Sequence, residues 1–186
     1  MGKKYFVCAN SGLGFVNYFD DILKDMEKIY IIKGGPGSGK STMMKSIGKQ
    51  YEEKGFDVDY IYCSSDPNSL DGIIINDYNI AIVDGTAPHV IEPKTVGAVE
   101  EYVSFTSAWN IDKLKENKDA IKELQLQISN CYEEAYSKLR KAKSLHDKLE
   151  KHYILASDFK VINEIQKKVS ESIEKTIKAE GTKITS

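Results

Sequence analysis

Gly34-Gly35-Pro36-Gly37-Ser38-Gly39-Lys40-Ser41-Thr42 decides how this chain reads. The glycine and Lys-Ser spacing is that of a complete Walker A motif, a loop that cradles phosphates. Its glycines let the backbone wind tightly and turn successive N–H groups toward phosphate oxygens. Apolar residues 29–32 precede it as a short strand. Residues 40–54 follow as a helix, with Met43, Met44, Ile47 and Tyr51 on one face and Gly55 as its stop signal. The positive end of that helix falls where the phosphates would sit. On this reading Lys40 reaches the β- and γ-phosphates and Ser41 ligates magnesium. Gly34, Gly35, Pro36, Gly37, Ser38, Gly39 and Thr42 supply the rest of the cradle.

Working outward, residues 58–63 form a second apolar strand, and Asp66-Pro67-Asn68-Ser69 is a turn. Residues 73–75 read as a short strand. Residues 80–83 form a third buried strand that ends in Asp84. That is the Walker B pattern, a carboxylate at a strand's carboxyl end where it can hold magnesium. Upstream, residues 5–9 read as a strand and 10–14 as a turn. Phe15, Phe19, Ile22, Leu23 and Met26 recur at helical spacing. Apolar runs without alternation fit a mainly parallel sheet covered on both faces. The expected class is α/β, a three-layer P-loop core over residues 1–108.

Beyond Ser107, glycine and proline vanish until Gly181 and charge rises. Leu114, Ile121, Ile128, Ala135, Ala142 and Leu149 keep a seven-residue step, so a long amphipathic helix is expected over about residues 112–151. Ile162, Ile165, Val169, Ile173 and Ile177 mark another. Residues 109–180 are therefore read as a C-terminal α-helical hairpin and 181–186 as a frayed tail.

The formal net charge of −2 gives no bulk field for nucleic acid or an anionic membrane. No apolar run reaches membrane-spanning length and no signal peptide is evident, so a cytoplasmic protein is expected. Cys8, Cys63 and Cys131 form no CxxC pair, which argues for small apolar residues and against zinc. His146 and His152, six apart, do not share a helix face as a metal pair. The chain has a single arginine, Arg140, where phosphate clamps favour several.

The water-activating group is open. Gly85, not glutamate, follows Asp84. Asp66, His89 and Glu92 follow strands that should end at the same crevice, and each also has an ordinary structural reading. Asn117-Lys118-Asp119-Ala120 lacks the final Asp of a guanine reader, Asp84-Gly85-Thr86-Ala87 lacks the Gly of a GTPase switch, and no LSGGQ stretch occurs.

Several stretches together resemble a group of uncharacterised, mainly Gram-positive bacterial P-loop ATPases. They are Cys8-Ala9-Asn10, Gly14-Phe15-Val16-Asn17, Lys33 to Thr42, Cys63-Ser64-Ser65-Asp66-Pro67, Ser69-Leu70-Asp71-Gly72, Val83 to His89 and Glu92-Pro93. The resemblance runs over about residues 4–178. Members of that group carry two P-loop halves in tandem; this sequence has one. The resemblance implies ATP with Mg²⁺ as ligand and a second P-loop half, or a homodimer, as partner. A slow magnesium-dependent ATPase is expected, with Lys40 and Asp84 at its centre. A small-molecule or nucleotide kinase, and a nucleotide-switched interaction module, are the alternatives.

Overall fold

In the computed structural model, which describes residues 2–88 and 90–184, the glycine-rich loop leaves an inner strand of a mixed sheet. In chain order the elements are β1 Lys4–Phe6, β2 Cys8–Ser11, β3 Gly14–Asn17, α1 Phe19–Leu23, β4 Lys28–Lys33 and α2 Lys40–Glu52. Then come β5 Val58–Tyr62, β6 Leu70–Ile75, β7 Ile80–Asp84, β8 Glu100–Ser104, α3 Ile111–Glu116, α4 Lys118–Ala156 and α5 Phe159–Ile184. The six-stranded sheet has the order β1-β5-β6-β7-β4-β8, and β2 pairs with β3 in a separate antiparallel ribbon. β4 is parallel to both its neighbours, β7 and β8, and β1 is parallel to β5. β6 alone runs against its neighbours, β5 and β7. The class is thus α/β, with a mostly parallel sheet and helices at the C-terminal end.

Period-2 geometry explains why the core strands read as unbroken apolar runs. On β4, Ile29 and Ile31 face one side with Ile61, Ile74, Ala81 and Val83, where α1 adds Phe19 and Leu23. Ile32 faces the other with Val58, Ile73, Ile75 and Ile82, where α2 adds Met44. Both faces are covered, so neither needs polar alternation.

Several local expectations shift. Phe15 lies in β3 rather than on a helix, and α1 is only the segment Phe19–Leu23. The β2–β3 ribbon wins because Gly14, at φ +100°, turns the chain back on itself. β6 is longer than the run 73–75, beginning at Leu70. β8 has a solvated outward pattern and no apolar run announces it.

The chain divides into two units, Met1–Lys141 and Ala142–Ser186, with the boundary inside α4. In the first unit α4 carries Tyr132 and Tyr136. The Tyr136 hydroxyl donates to Asn10 Oδ1 (2.8 Å) and the Tyr132 hydroxyl to Ser65 Oγ (3.1 Å). In the second unit the apolar stripe of α5, Ile162 to Ile177, stays 45–63% exposed, and Leu145 and Leu149 stay 57% and 55% exposed. The expected helix over 112–151 is interrupted at Asn117 and resumes as α4, whose last part lies in this unit with α5; their apolar stripes are not mutually buried. Residues 181–184, expected as frayed, continue α5 in backbone terms, and 185–186 lie outside the described residues. Among the described residues no helix is long and apolar enough to cross a membrane.

Candidate functional site

The loop between β4 and α2 is built by glycine. Gly37 and Gly39 adopt φ +73° and +94°, the left-handed region that other residues enter only with strain. α2 starts directly after Gly39, so its unpaired N–H groups open into the loop. Gly34 is needed for a different reason: a Cβ there would stand 2.8 Å from Ser38 Oγ and 3.3 Å from Phe105 Cβ.

Lys40 is 8% exposed and folds back over the loop. Its ammonium donates to Gly34 O (2.7 Å) and Gly35 O (2.9 Å) and stands 3.4 Å from Asp84 Oδ2. β4 and β7 are parallel neighbours with Ile32 opposite Asp84, which brings Asp84 to the root of the loop. The other carboxylate oxygen, Oδ1, accepts from Thr86 N (2.9 Å) and Thr86 Oγ1 (2.5 Å) and is fixed by them.

Two oxygens suit the expected ligands. Ser38 Oγ is buried and has no hydrogen-bond partner among the described residues, a hydroxyl that a phosphate oxygen would satisfy. Ser41 Oγ accepts from Leu70 N (2.9 Å), which leaves its own hydrogen and a second lone pair for other use. Hydroxyl and carboxylate oxygens such as those of Ser41 and Asp84 are the hard donors that magnesium takes, usually with waters kept, so these two residues are the ones that could hold it.

The remaining candidates divide. Asp66 is exposed in the loop after β5, and its Oδ1 accepts from Asn68 N (2.9 Å), a local turn bond. Glu92 belongs to a structural cluster. Lys33 donates to Glu92 Oε1 (2.9 Å), Gly85 O (2.8 Å) and Ile91 O (3.0 Å), and the Tyr102 hydroxyl donates to Glu92 Oε2. Those donors, Tyr102 first and Lys33 next, hold the Glu92 carboxyl below its ordinary range. His89 lies outside the described residues. His146 has Asp147 and Glu150 as neighbours on α4, and Lys143 pairs with Asp147 at 2.9 Å.

Gly85 shows why no glutamate follows Asp84. A Cβ at that position would overlap Ile31 Cγ2 on β4 and stand 3.3 Å from Lys33 Cε. Ile31 is fully buried and cannot yield. Gly85→Ala is therefore expected to destabilise the fold by about 1–3 kcal/mol. Urea unfolding with an unchanged midpoint would show that β4 has slack the packing denies.

Burial pushes the Cys8 thiol up to about 12, with Asp71 and Cys63 adding to the effect, and burial also raises Cys63. Cys131 is exposed on α4, away from the buried role expected of it. A pocket of 380 Å³ beside α2 is mainly apolar, lined by Met43, Ile47, Ile80, Ile82 and Val103, with Gln50 among its polar lining.

The sequence reading missed the far side of the loop. Phe105 N donates to Lys33 O (3.0 Å), and Trp109 lies beside Gly35. The available signal was the chain's single tryptophan.

Among known protein families, the one described as Nephrocystin 3, N-terminal, matches residues 17–73. That stretch holds β4, the glycine loop, α2 and β5 and stops within β6, leaving Asp84 and the C-terminal helices outside it. No curated protein and no solved structure matches the chain.

Proposed function

We propose that this chain binds ATP with Mg²⁺ through residues 34–42 and turns it over slowly, as a P-loop nucleoside triphosphatase. The observation that carries the reading is the placement of Lys40. A nearly buried ammonium stands 3.4 Å from Asp84 at the root of a loop whose Ser38 hydroxyl has no hydrogen-bond partner among the described residues. Lys40 and the loop N–H groups would hold the phosphates, and Ser41 and Asp84 the metal. The metal's chemistry would be to neutralise charge on the transferred phosphoryl group. The tandem resemblance supports ATP as the ligand and a second P-loop half, supplied by another chain, as the partner of the site.

Slow turnover follows from what surrounds the loop. Gly85 leaves no room for a water-orienting side chain next to Asp84, Glu92 is engaged by Lys33 and Tyr102, and Asp66 is turned into its own loop. The one arginine, Arg140, is exposed on α4. A specific observation favours the switch as a second reading. Leu70 N is tied to Ser41 at one end of the segment after β5, and Ser65 to Tyr132 of α4 at the other. Magnesium binding at Ser41 would then be felt at α4.

A product assay with ATP alone and with a panel of phosphate acceptors separates the readings. Phosphate release without acceptor is expected, unchanged by Arg140→Ala and constant per molecule as protein concentration rises. Acceptor phosphorylation would replace the proposal with a kinase, and tight binding without turnover would replace it with the switch. A steep rise with concentration, lost in Arg140→Ala, would make the arginine part of a site shared between copies.

A further inference from the structure

We propose that Trp109, backed by Phe105, forms the wall on which the base of the bound nucleotide stacks. This rests on the reading of residues 34–42 as a triphosphate cradle and adds where the other end of the ligand lies. β8 pairs with β4 in a register that sets Ser104 opposite Lys33, so both chains leave the sheet at the same end. One enters the glycine loop. The other passes through Phe105 and a single 3-10 turn, Thr106–Ala108, to Trp109.

The contact is close. A Cβ on Gly35 would lie 3.7 Å from Trp109 Cζ2 and 3.8 Å from Cη2, which puts the six-membered ring of the indole against the loop backbone. Both rings are only partly buried; Phe105 packs against the core on the α2 face of the sheet, which anchors it, while Trp109 belongs to neither core cluster. β4 lies between β7 and β8, so the loop has two unlike flanks. The β7 flank carries Asp84 and Thr86 and takes the charged, metal-bearing end of a ligand. The β8 flank offers the aromatic surface of Trp109 against Gly35. A nucleoside triphosphate has the same polarity, polyanionic at one end and flat and uncharged at the other. Aromatic stacking accepts any base and favours the larger purines.

The test compares ATP with inorganic tripolyphosphate, each with magnesium, by calorimetry. Trp109→Ala should weaken ATP roughly 10- to 100-fold while tripolyphosphate stays within about twofold, and Trp109→Phe should keep most of the ATP affinity. Because Trp109 is the chain's only tryptophan, its emission should change on adding ATP and recover when excess tripolyphosphate, which carries no base, displaces the nucleotide. Equal losses for both ligands would make Trp109 a support of the loop and overturn the base site. So would an ATP affinity that Trp109→Ala leaves unchanged, or an unmutated protein that binds ATP no tighter than tripolyphosphate; in those cases the phosphate cradle stands. An unmutated protein that binds neither ligand overturns the cradle and the base site together.

Discussion

Lys40→Ala is expected to weaken MgATP binding by roughly 100-fold, the scale of losing charge-assisted hydrogen bonds in a shielded site. The ammonium now sits among Gly34 O, Gly35 O and Asp84 Oδ2. Its removal leaves those three oxygens facing an incoming polyanion with nothing of opposite sign between them. The loss therefore has two parts, an absent attraction and an exposed repulsion. The fold should persist, because Asp84 Oδ1 keeps both bonds from Thr86 and the turns of the loop are set by the positive φ of Gly37 and Gly39. Calorimetry beside a circular dichroism melt checks both halves. A folded mutant that binds ATP as the parent does would remove the loop from the function altogether.

Asp84→Asn should produce a crossing of affinities. With magnesium, ATP should bind roughly 10-fold more weakly than to the parent, since the metal loses an anionic ligand. Without magnesium, the mutant should bind ATP more tightly than the parent, because the carboxylate next to Lys40 no longer repels the phosphates. Asn keeps the size and an acceptor oxygen for the Thr86 bonds, so packing is little disturbed. Titrations with and without magnesium decide it. If both proteins respond equally to the metal, Asp84 serves only to orient Thr86 and Lys40.

The loop and its flanks were legible because their signals are local. Glycines at fixed offsets, an apolar run before and a periodic one after need no tertiary context, and β4, α2, β5 and β7 lie close to where the sequence puts them. The class followed from the same runs. The orientation of β6 was not legible, since Leu70 to Ile75 is buried throughout and such a run has no direction written in it. β8 was hidden for the opposite reason: Glu101 and Tyr102 face outward and only Val103 has an apolar look. With β8 unseen, nothing could bring Phe105 and Trp109 to the loop. The role of Glu92 was equally out of reach, because it depends on Lys33 and Tyr102, which are distant in sequence and adjacent across β4 and β8.

The place of β4 in the sheet also sets the order in which the protein can be assembled. β5, β6 and β7 succeed one another through short connections and pair in sequence, so they can form a meander as soon as they are made. β4 cannot join them so early. Its two partners are β7 and β8, both made after it, and the second is complete only at Ser104. On a ribosome, the glycine loop would emerge long before either strand that fixes its base, and would wait unsupported while the chain lengthens. Nucleotide is thus expected to bind late in biosynthesis, after the scaffold has closed, and to act as a seal on a finished domain rather than as a template for its folding.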